Sequence, residues 1–487
     1  MRRGRPSGYK QAMSRELAKE SSLAPLVLRL DPRAFLGFTL AIVAAFVTHR
    51  GWLGGPLGLT RPAEITLGIV TVAASLWLTE AVPLFVTSLV LLALELVWLS
   101  PALDPAHHGP TLFLNAFFSD VTLLFLGGFV LSVAIERTQL DRRISRALLR
   151  RAGTSPQRVL FAMMIATSVI GVWMSNTAAC ALMLGPAASM LARVPPGDGF
   201  RKALLLGIAF SANLGGLATP ISSPPNAIVI RYLGDSAPSF AVWMALAVPL
   251  QVVLQLILLV YLGRRYPSGV KAITLDEEPP PPFGRPQALV LGVFVLTVAG
   301  WIFGGALSIT SGTVALLPVV VFFGTNLLRA PDLRALPWDV ILLIGGGLAL
   351  GAAVEQSGLA AWATQRLPTA GLPPFIVMGV VAVFAVVVSS VMSNTAAVNL
   401  LAPVVMGLEG VPYAPLLLVA AFACTLSMPL PVSTPPNAMA YGFSVDPSGR
   451  GEFTARDMIV PGTFLTIVGL GVLAAFTKFW FPRFLAF

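Results

Sequence analysis

About twenty consecutive apolar residues are what a helix needs to cross the hydrocarbon core of a bilayer. Stretches of that order follow one another along almost the whole of this 487-residue chain. They fall near 34–49, 64–82, 83–100, 112–135, 159–192, 203–230 and 240–262. After a charged, proline-rich segment they resume near 288–306, 310–328, 339–356, 375–406, 413–443 and 458–485. With 56% hydrophobic and 11% charged residues, one water-soluble core could not hide so much apolar surface. Lipid offers no partner to a free backbone N–H or C=O, so each stretch reads as helix. The expectation is an all-α polytopic membrane protein of about 11 transmembrane helices plus two re-entrant hairpins.

The net charge of +10 is spread between the apolar stretches, which points to membrane orientation and away from nucleic acid. Cys180 and Cys424 are the only cysteines and lie in apolar sequence, so they read as buried thiols rather than a disulfide or metal motif. His49, His107 and His108 sit at span ends or in loops and give a metal site nothing to build on. No Ser–His, Ser–Lys or Asp pair stands at membrane depth, which argues against an intramembrane hydrolase.

One hexapeptide occurs twice. Met174, Ser175, Asn176, Thr177, Ala178 and Ala179 return as Met392, Ser393, Asn394, Thr395, Ala396 and Ala397. A second pair follows in the same order, Ser222 to Ala227 (SSPPNA) and Ser433 to Ala438 (STPPNA). Asp120 to Glu136 also matches Asp339 to Glu355 at constant offset, with Gly127 and Gly128 over Gly346 and Gly347, and Trp77 and Trp301 open comparable earlier segments. This is an internal duplication.

The stretch 159–192 is too long for one crossing, yet the pieces flanking Ser175, Asn176 and Thr177 are each about 15 residues, roughly 23 Å of helix against a roughly 30 Å core. Arg158 precedes it and Arg193, Arg201 and Lys202 follow, so both ends prefer the cytoplasm. A re-entrant hairpin with the tripeptide at its tip results, and 375–406 is its counterpart. The stretches 203–230 and 413–443 are instead interrupted, at Gly215 to Pro225 and at Pro429 to Pro436, where helix geometry cannot continue. Each reads as a broken helix whose unwound backbone faces protein or water.

Charge gives the orientation. The connector after the first aligned helix carries Arg142, Arg143, Arg146, Arg150, Arg151 and Arg158, whereas its counterpart carries only Arg366. With the amino terminus inside, all but six (Arg50, Arg61, Arg231, Arg366, Lys478, Arg483) of the 32 Lys and Arg fall on the cytoplasmic side. The second repeat is therefore inverted. The expected organisation is a cytoplasmic basic tail at 1–33, a leading transmembrane helix and loop at 34–63, a first repeat at 64–262, a cytoplasmic Pro-rich linker at 263–287 and an inverted second repeat at 288–487. The expected location is a bacterial inner membrane, with the carboxyl terminus outside.

Inverted repeats bring hairpin tips and broken helices together near the midplane. Helix amino termini there suit an anion, and carbonyls freed by unwinding suit a small hard cation. Hydroxyls and amides serve either. No Asp or Glu lies in the four motifs. Glu80, Glu136 and Glu355 fall at span ends, and Asp120 and Asp339 at helix starts where capping explains them. A pocket without fixed charge is expected, its anion neutralised by helix ends and bound sodium.

These residues resemble the divalent anion:sodium symporter family, carriers of dicarboxylates, citrate and sulfate. The likeness runs from about residue 64 to the carboxyl end and rests on both Ser-Asn-Thr tripeptides, both Pro-Pro-Asn segments and the stretch Trp77 to Pro83. The resemblance implies that Ser175, Asn176, Thr177, Ser393, Asn394 and Thr395 hold the substrate, joined by Ser223 and Thr434 and the prolines Pro224 and Pro435. It implies one sodium site at Asn176, Ser222 and Asn226 and another at Asn394, Ser433 and Asn437. It further implies a homodimer with a fixed scaffold domain and a transport domain moving as an elevator, with arm helices at 141–158 and near 357–372. Relatives commonly carry Gly where this chain has Ser222. The expected function is sodium-coupled import of small divalent carboxylates such as succinate. Sulfate or citrate symport, sodium-independent dicarboxylate exchange and an anion channel are the alternatives.

Overall fold

A computed structural model describes residues 32–103, 109–273, 283–364, 372–406, 408, 411–444 and 454–485. All but the last two residues of the expected basic tail, His107 and His108, the middle of the linker and much of the second arm segment lie outside the described residues.

Every regular element among the described residues is helical. The first half contains α1 (Pro32–His49), α2 (Arg61–Thr79), α3 (Leu84–Leu94), α4 (Thr111–Phe117), α5 (Asp120–Arg137), α6 (Leu140–Ala152), α7 (Pro156–Gly171), α8 (Asn176–Leu191), α9 (Gly199–Gly215), α10 (Pro224–Leu233) and α11 (Phe240–Arg265). The second contains α12 (Arg285–Phe303), α13 (Ser311–Gly324), α14 (Trp338–Gln356), α15 (Leu359–Thr364), α16 (Pro374–Val391), α17 (Asn394–Met406), α18 (Tyr413–Thr425), α19 (Pro435–Ser444) and α20 (Ala455–Phe479). Among the described residues nine helical segments are long and apolar enough to cross a membrane, whereas α7, α8, α13, α17 and α18 are shorter apolar helices.

Of two irregular apolar stretches, one is long enough to cross the membrane as a whole but is interrupted, and the other gives a helix too short for a single span. The stretch 112–135 divides at Phe118 and Ser119 into α4 and α5 because Thr122 closes the turn: its hydroxyl donates to the Phe117 carbonyl at 3.0 Å and accepts from the Ser119 N–H at 3.3 Å. The stretch 310–328 yields only the 14 residues of α13, about 21 Å of helix.

The duplication reappears in the packing. α3 lies along α14, and their counterparts α13 and α5 lie along each other. α9 packs on α7 within the first half as α18 packs on α16 within the second. The broken helices cross over: α9 meets α19 while α10 meets α18, and α8 meets α19 while α17 meets α10. Exchange of the halves therefore maps these contacts onto themselves. Small residues make the closest crossings. A Cβ at Gly127 would strike the main-chain carbonyl of Ala315 on α13, and one at the matched Gly346 would strike Ser88 on α3. Trp77 and Trp301 also act alike, each donating its indole N–H to the carbonyl of the first residue of the next helix, Leu84 at 3.3 Å and Ser311 at 3.0 Å.

Candidate functional site

Both Ser-Asn-Thr tripeptides sit where one helix ends and the next begins. α7 ends at Gly171 and α8 starts at Asn176; α16 ends at Val391 and α17 starts at Asn394. The serine of each tripeptide caps the second helix: Ser175 Oγ accepts from the Ala178 N–H at 3.2 Å, and Ser393 Oγ accepts from the Ala396 N–H at 3.2 Å. This uses one of the free donors at each helix start and fixes the turn. Asn176 Oδ1 accepts from the Thr177 N–H at 2.9 Å, while Asn394 Oδ1 accepts from the Ser389 hydroxyl at 2.6 Å.

The Pro-Pro-Asn segments start α10 and α19. Two prolines in the first turn preset its backbone angles and remove N–H groups that would lack helical partners. The asparagine after them threads the unwound backbone. Asn226 Nδ2 donates to the carbonyls of Gly216 (2.9 Å) and Thr219 (2.8 Å), and Asn437 Nδ2 donates to those of Met428 (3.0 Å) and Leu430 (3.1 Å). The Ser222 hydroxyl lies 2.8 Å and 2.7 Å from the first pair of carbonyls, and Ser433 Oγ lies 2.7 Å from Leu430 O. Each unwound segment thus gathers two carbonyls and a hydroxyl, hard oxygens that the asparagine holds together through its N–H groups. Such a donor set fits a small hard cation.

These elements enclose one cavity of about 540 Å³. Its wall includes Ser175, Asn176 and Thr177 from one tip, Ser393, Asn394 and Thr395 from the other, and Ser222, Ser223, Pro224 and Pro435 from the broken helices. The amino-terminal ends of α8, α10, α17 and α19 all reach it. Four partial positive charges converge on one space, the arrangement that favours an anion. α3, α5 and α14 close the remaining wall with Leu84, Phe85, Phe129 and Leu343 among others.

Four of the expected residues are placed off the wall. Asn226, Ser433 and Asn437 are buried behind it. Thr434 is buried too, its hydroxyl accepting from Asn213 Nδ2 at 3.1 Å and from the Asn437 N–H at 3.3 Å. The two halves therefore present different groups before their prolines: the Ser223 side chain lines the cavity and the Thr434 side chain does not.

The expectation of a pocket without fixed charge is corrected. Asp339, at the start of α14, is part of the wall and exposed. Its sequence counterpart Asp120 behaves as a helix-start acid instead, accepting from the Gly312 N–H at 3.0 Å and from the Thr310 hydroxyl. Sequence reading also missed Asn213 and Ser389, single polar residues inside apolar helices. The available signal was their position: Asn213 stands two residues before Gly215, where the helix ends, and Ser389 stands five before Asn394.

A family model described as citrate transporter matches residues 74–411. The sodium-dependent dicarboxylate transporter SdcS of Staphylococcus saprophyticus is 30% identical over 472 residues, covering 88% of either chain. SdcS of Staphylococcus aureus is 29% identical over 470 residues with the same coverage. Among solved structures, the YdaH transporter of Alcanivorax borkumensis matches 82% of this chain and 98% of its own with a TM-score of 0.55 at 15% identity, a likeness of fold.

Proposed function

Because this chain belongs to the citrate transporter family, whose members are transporters and not enzymes, we propose that it is a sodium-coupled importer of small divalent carboxylates, succinate among them. The observation that carries this reading is the convergence of four helix amino termini and both Ser-Asn-Thr tips on a single cavity. A dianion there accepts hydrogen bonds from the hydroxyls of Thr177, Ser223 and Thr395 and the amides of Asn176 and Asn394, while the helix ends offset its charge. The printed names of the staphylococcal relatives support sodium and dicarboxylate together.

Sodium is held, in this reading, by the two oxygen clusters behind the tips: Gly216 O, Thr219 O and Ser222 Oγ with Asn176 and Asn226 on one side, and Met428 O, Leu430 O and Ser433 Oγ with Asn394 and Asn437 on the other. A cation there supplies positive charge beside the substrate and stiffens backbone that has no helix to hold it. The Asp339 carboxylate at the wall raises the need for that charge, since it opposes a bound dianion.

Alternating access is the mechanism this reading attaches to the same arrangement. The half of the wall carrying the tips moves, and α3, α5 and α14 stay, as in an elevator operating within each subunit of a homodimer. The hairpins 159–192 and 375–406 re-enter from opposite faces, with the amino terminus in the cytoplasm of a bacterial cell and the carboxyl terminus outside. Citrate is the second substrate reading, favoured by the description of the matching family.

The test is uptake of radiolabelled succinate into proteoliposomes with and without an inward sodium gradient, with citrate and sulfate as competitors. Sodium-driven accumulation is expected, and Asn176→Ala and Asn394→Ala are each expected to lower it at least tenfold. Intact uptake and intact sodium dependence in both variants would sink the site assignment.

A further inference from the structure

One carboxyl in the membrane-embedded part is unaccounted for by the cavity. Glu95 begins the π-helical turn Glu95–Leu99 that continues α3, is fully buried, and has no hydrogen-bond partner on either carboxyl oxygen. π-helical turns frequently mark functional positions, and an ionisable residue at membrane depth is a functional site by default. A bare carboxylate enclosed by protein without a cation or a donor is too costly to persist. The group needs a ligand.

The helices packed on α14, against which the π-turn also lies, carry two more buried polar groups without partners, the Tyr232 hydroxyl on α10 and the whole Asn399 amide on α17. α14 places them in series. Leu343 lines the cavity; one turn on, Gly347 faces Asn399; one turn further, Gly351 faces the Tyr232 ring. α3 runs beside the same face, with Ser88 against Gly346 and Glu95 seven residues later on the same side of the helix. The series therefore starts at the cavity and leads along the seam between α3 and α14 on one side and α10 and α17 on the other. These last two helices carry a tip and a Pro-Pro-Asn segment.

We propose that Glu95, with Tyr232 and Asn399, forms a proton site separate from the cavity, whose carboxyl holds a proton in this conformation and exchanges it with water when the seam opens. Protonation removes the charge that burial penalises and turns the carboxyl into an O–H donor, available to the Tyr232 oxygen or Asn399 Oδ1 as the seam shifts. The proton comes from solvent water and returns to it, so no other reactant is required. Other charged or titratable groups on the neighbouring elements are Arg231 beside Tyr232, the Arg61–Glu64 pair at the start of α2, Asp339 and Glu355 at the two ends of α14, and His49, whose ring contacts Trp98 of the π-turn. The proposal rests on the chain being a transporter and not on the identity of the substrate or on sodium.

Full-length protein in proteoliposomes loaded with a pH-sensitive dye provides the test, with radiolabelled succinate uptake followed in parallel. Wild-type protein is expected to acidify the interior as succinate enters, and Glu95→Gln to reduce the acidification per succinate at least tenfold. Sodium-driven uptake without proton movement overturns the proton site and leaves the symport reading standing. Acidification that ignores the sodium gradient overturns sodium coupling alone. Should Glu95→Gln fail to fold, the infrared spectrum of wild-type protein isotopically labelled at the glutamate carboxyls decides: a protonated-acid carbonyl band at neutral pH is expected, and its absence removes the proposal.

Discussion

Asn226 and Asn437 occupy the same place in the two halves and tie down unwound backbone with the same pair of amide hydrogen bonds, yet their other ends differ. Asn437 Oδ1 accepts from Asn213 Nδ2 at 3.0 Å across the two-fold, whereas Asn226 Oδ1 is buried without a partner. The cause is one residue. Counting along the matched helices α9 and α18, the position of Asn213 is taken in the second half by Thr425, whose hydroxyl donates to Ala421 O of its own helix at 3.2 Å. A threonine too short to cross leaves the first half's oxygen cluster with a spare acceptor. Asp120 and Asp339 show the same divergence, one pinned between helix starts and the other open to the cavity. Duplication supplied two equal frames, and single substitutions have given the frames different electrostatics.

The largest expected separation between the halves comes from the two aspartates. Asp120→Ala removes a charge-assisted acceptor and strands the Gly312 N–H, which should cost about 2 kcal/mol of stability and lower the melting temperature in detergent. Asp339→Ala should change stability by less than about 0.5 kcal/mol. Its effect belongs to transport, as a weaker requirement for sodium in the uptake assay. Equal melting shifts from the two variants would mean that the helix starts are equivalent after all.

A smaller separation is expected at the asparagine bridge. Asn213→Ala deprives Asn437 Oδ1 and Thr434 of their donor and should cost about 1 kcal/mol, discounted because Asn213 Oδ1 is itself unpartnered. Thr425→Ala loses only a bond within its own helix and should fall near zero. The comparison sharpens with Thr425→Asn, which could reach Asn226 Oδ1. A gain in stability would confirm that the spare acceptor lies where the two-fold places it.

The smallest effect concerns α6 and its counterpart α15. Asp141 on α6 is buried, and that burial pushes its carboxyl up to about 6, with Glu136 adding to the shift and the Arg142 N–H, donating at 2.7 Å, opposing it. The equivalent position on α15 is Ala360. A carboxyl raised on folding binds its proton more tightly in the folded state. Its stabilising contribution is therefore full below the ordinary Asp range and lost as pH rises through about 6. Melting curves between pH 4.5 and pH 7.5, a range chosen to bracket about 6, should show this decline in wild-type protein. Asp141→Asn should flatten it by an amount on the order of 1 kcal/mol.

How much of this was legible beforehand differs by type of feature. The breaks were readable because proline, glycine and a repeated polar tripeptide have local consequences in any apolar stretch, and residues 172–175 and 216–223 are where the helices stop. That both tips share a cavity followed from the duplication. The fate of Asp339 did not, because it stands at the head of an apolar helix as Asp120 does, and what packs beside each helix start is a matter of tertiary structure. Glu95 was hidden for a similar reason: it lies near the end of an apolar stretch, where sequence assigns it to the interface. The π-turn and the packing of α2, α3 and α14 enclose it instead.

The doubled prolines that begin α10 and α19 bear on release as much as on capture. A helix end stripped of its first N–H groups still projects a field, but it has few directed bonds with which to grip an oxygen. Attraction without tight chelation suits a molecule that must surrender its cargo at every cycle. Discrimination by shape is then left to a handful of hydroxyls and amides around the rim.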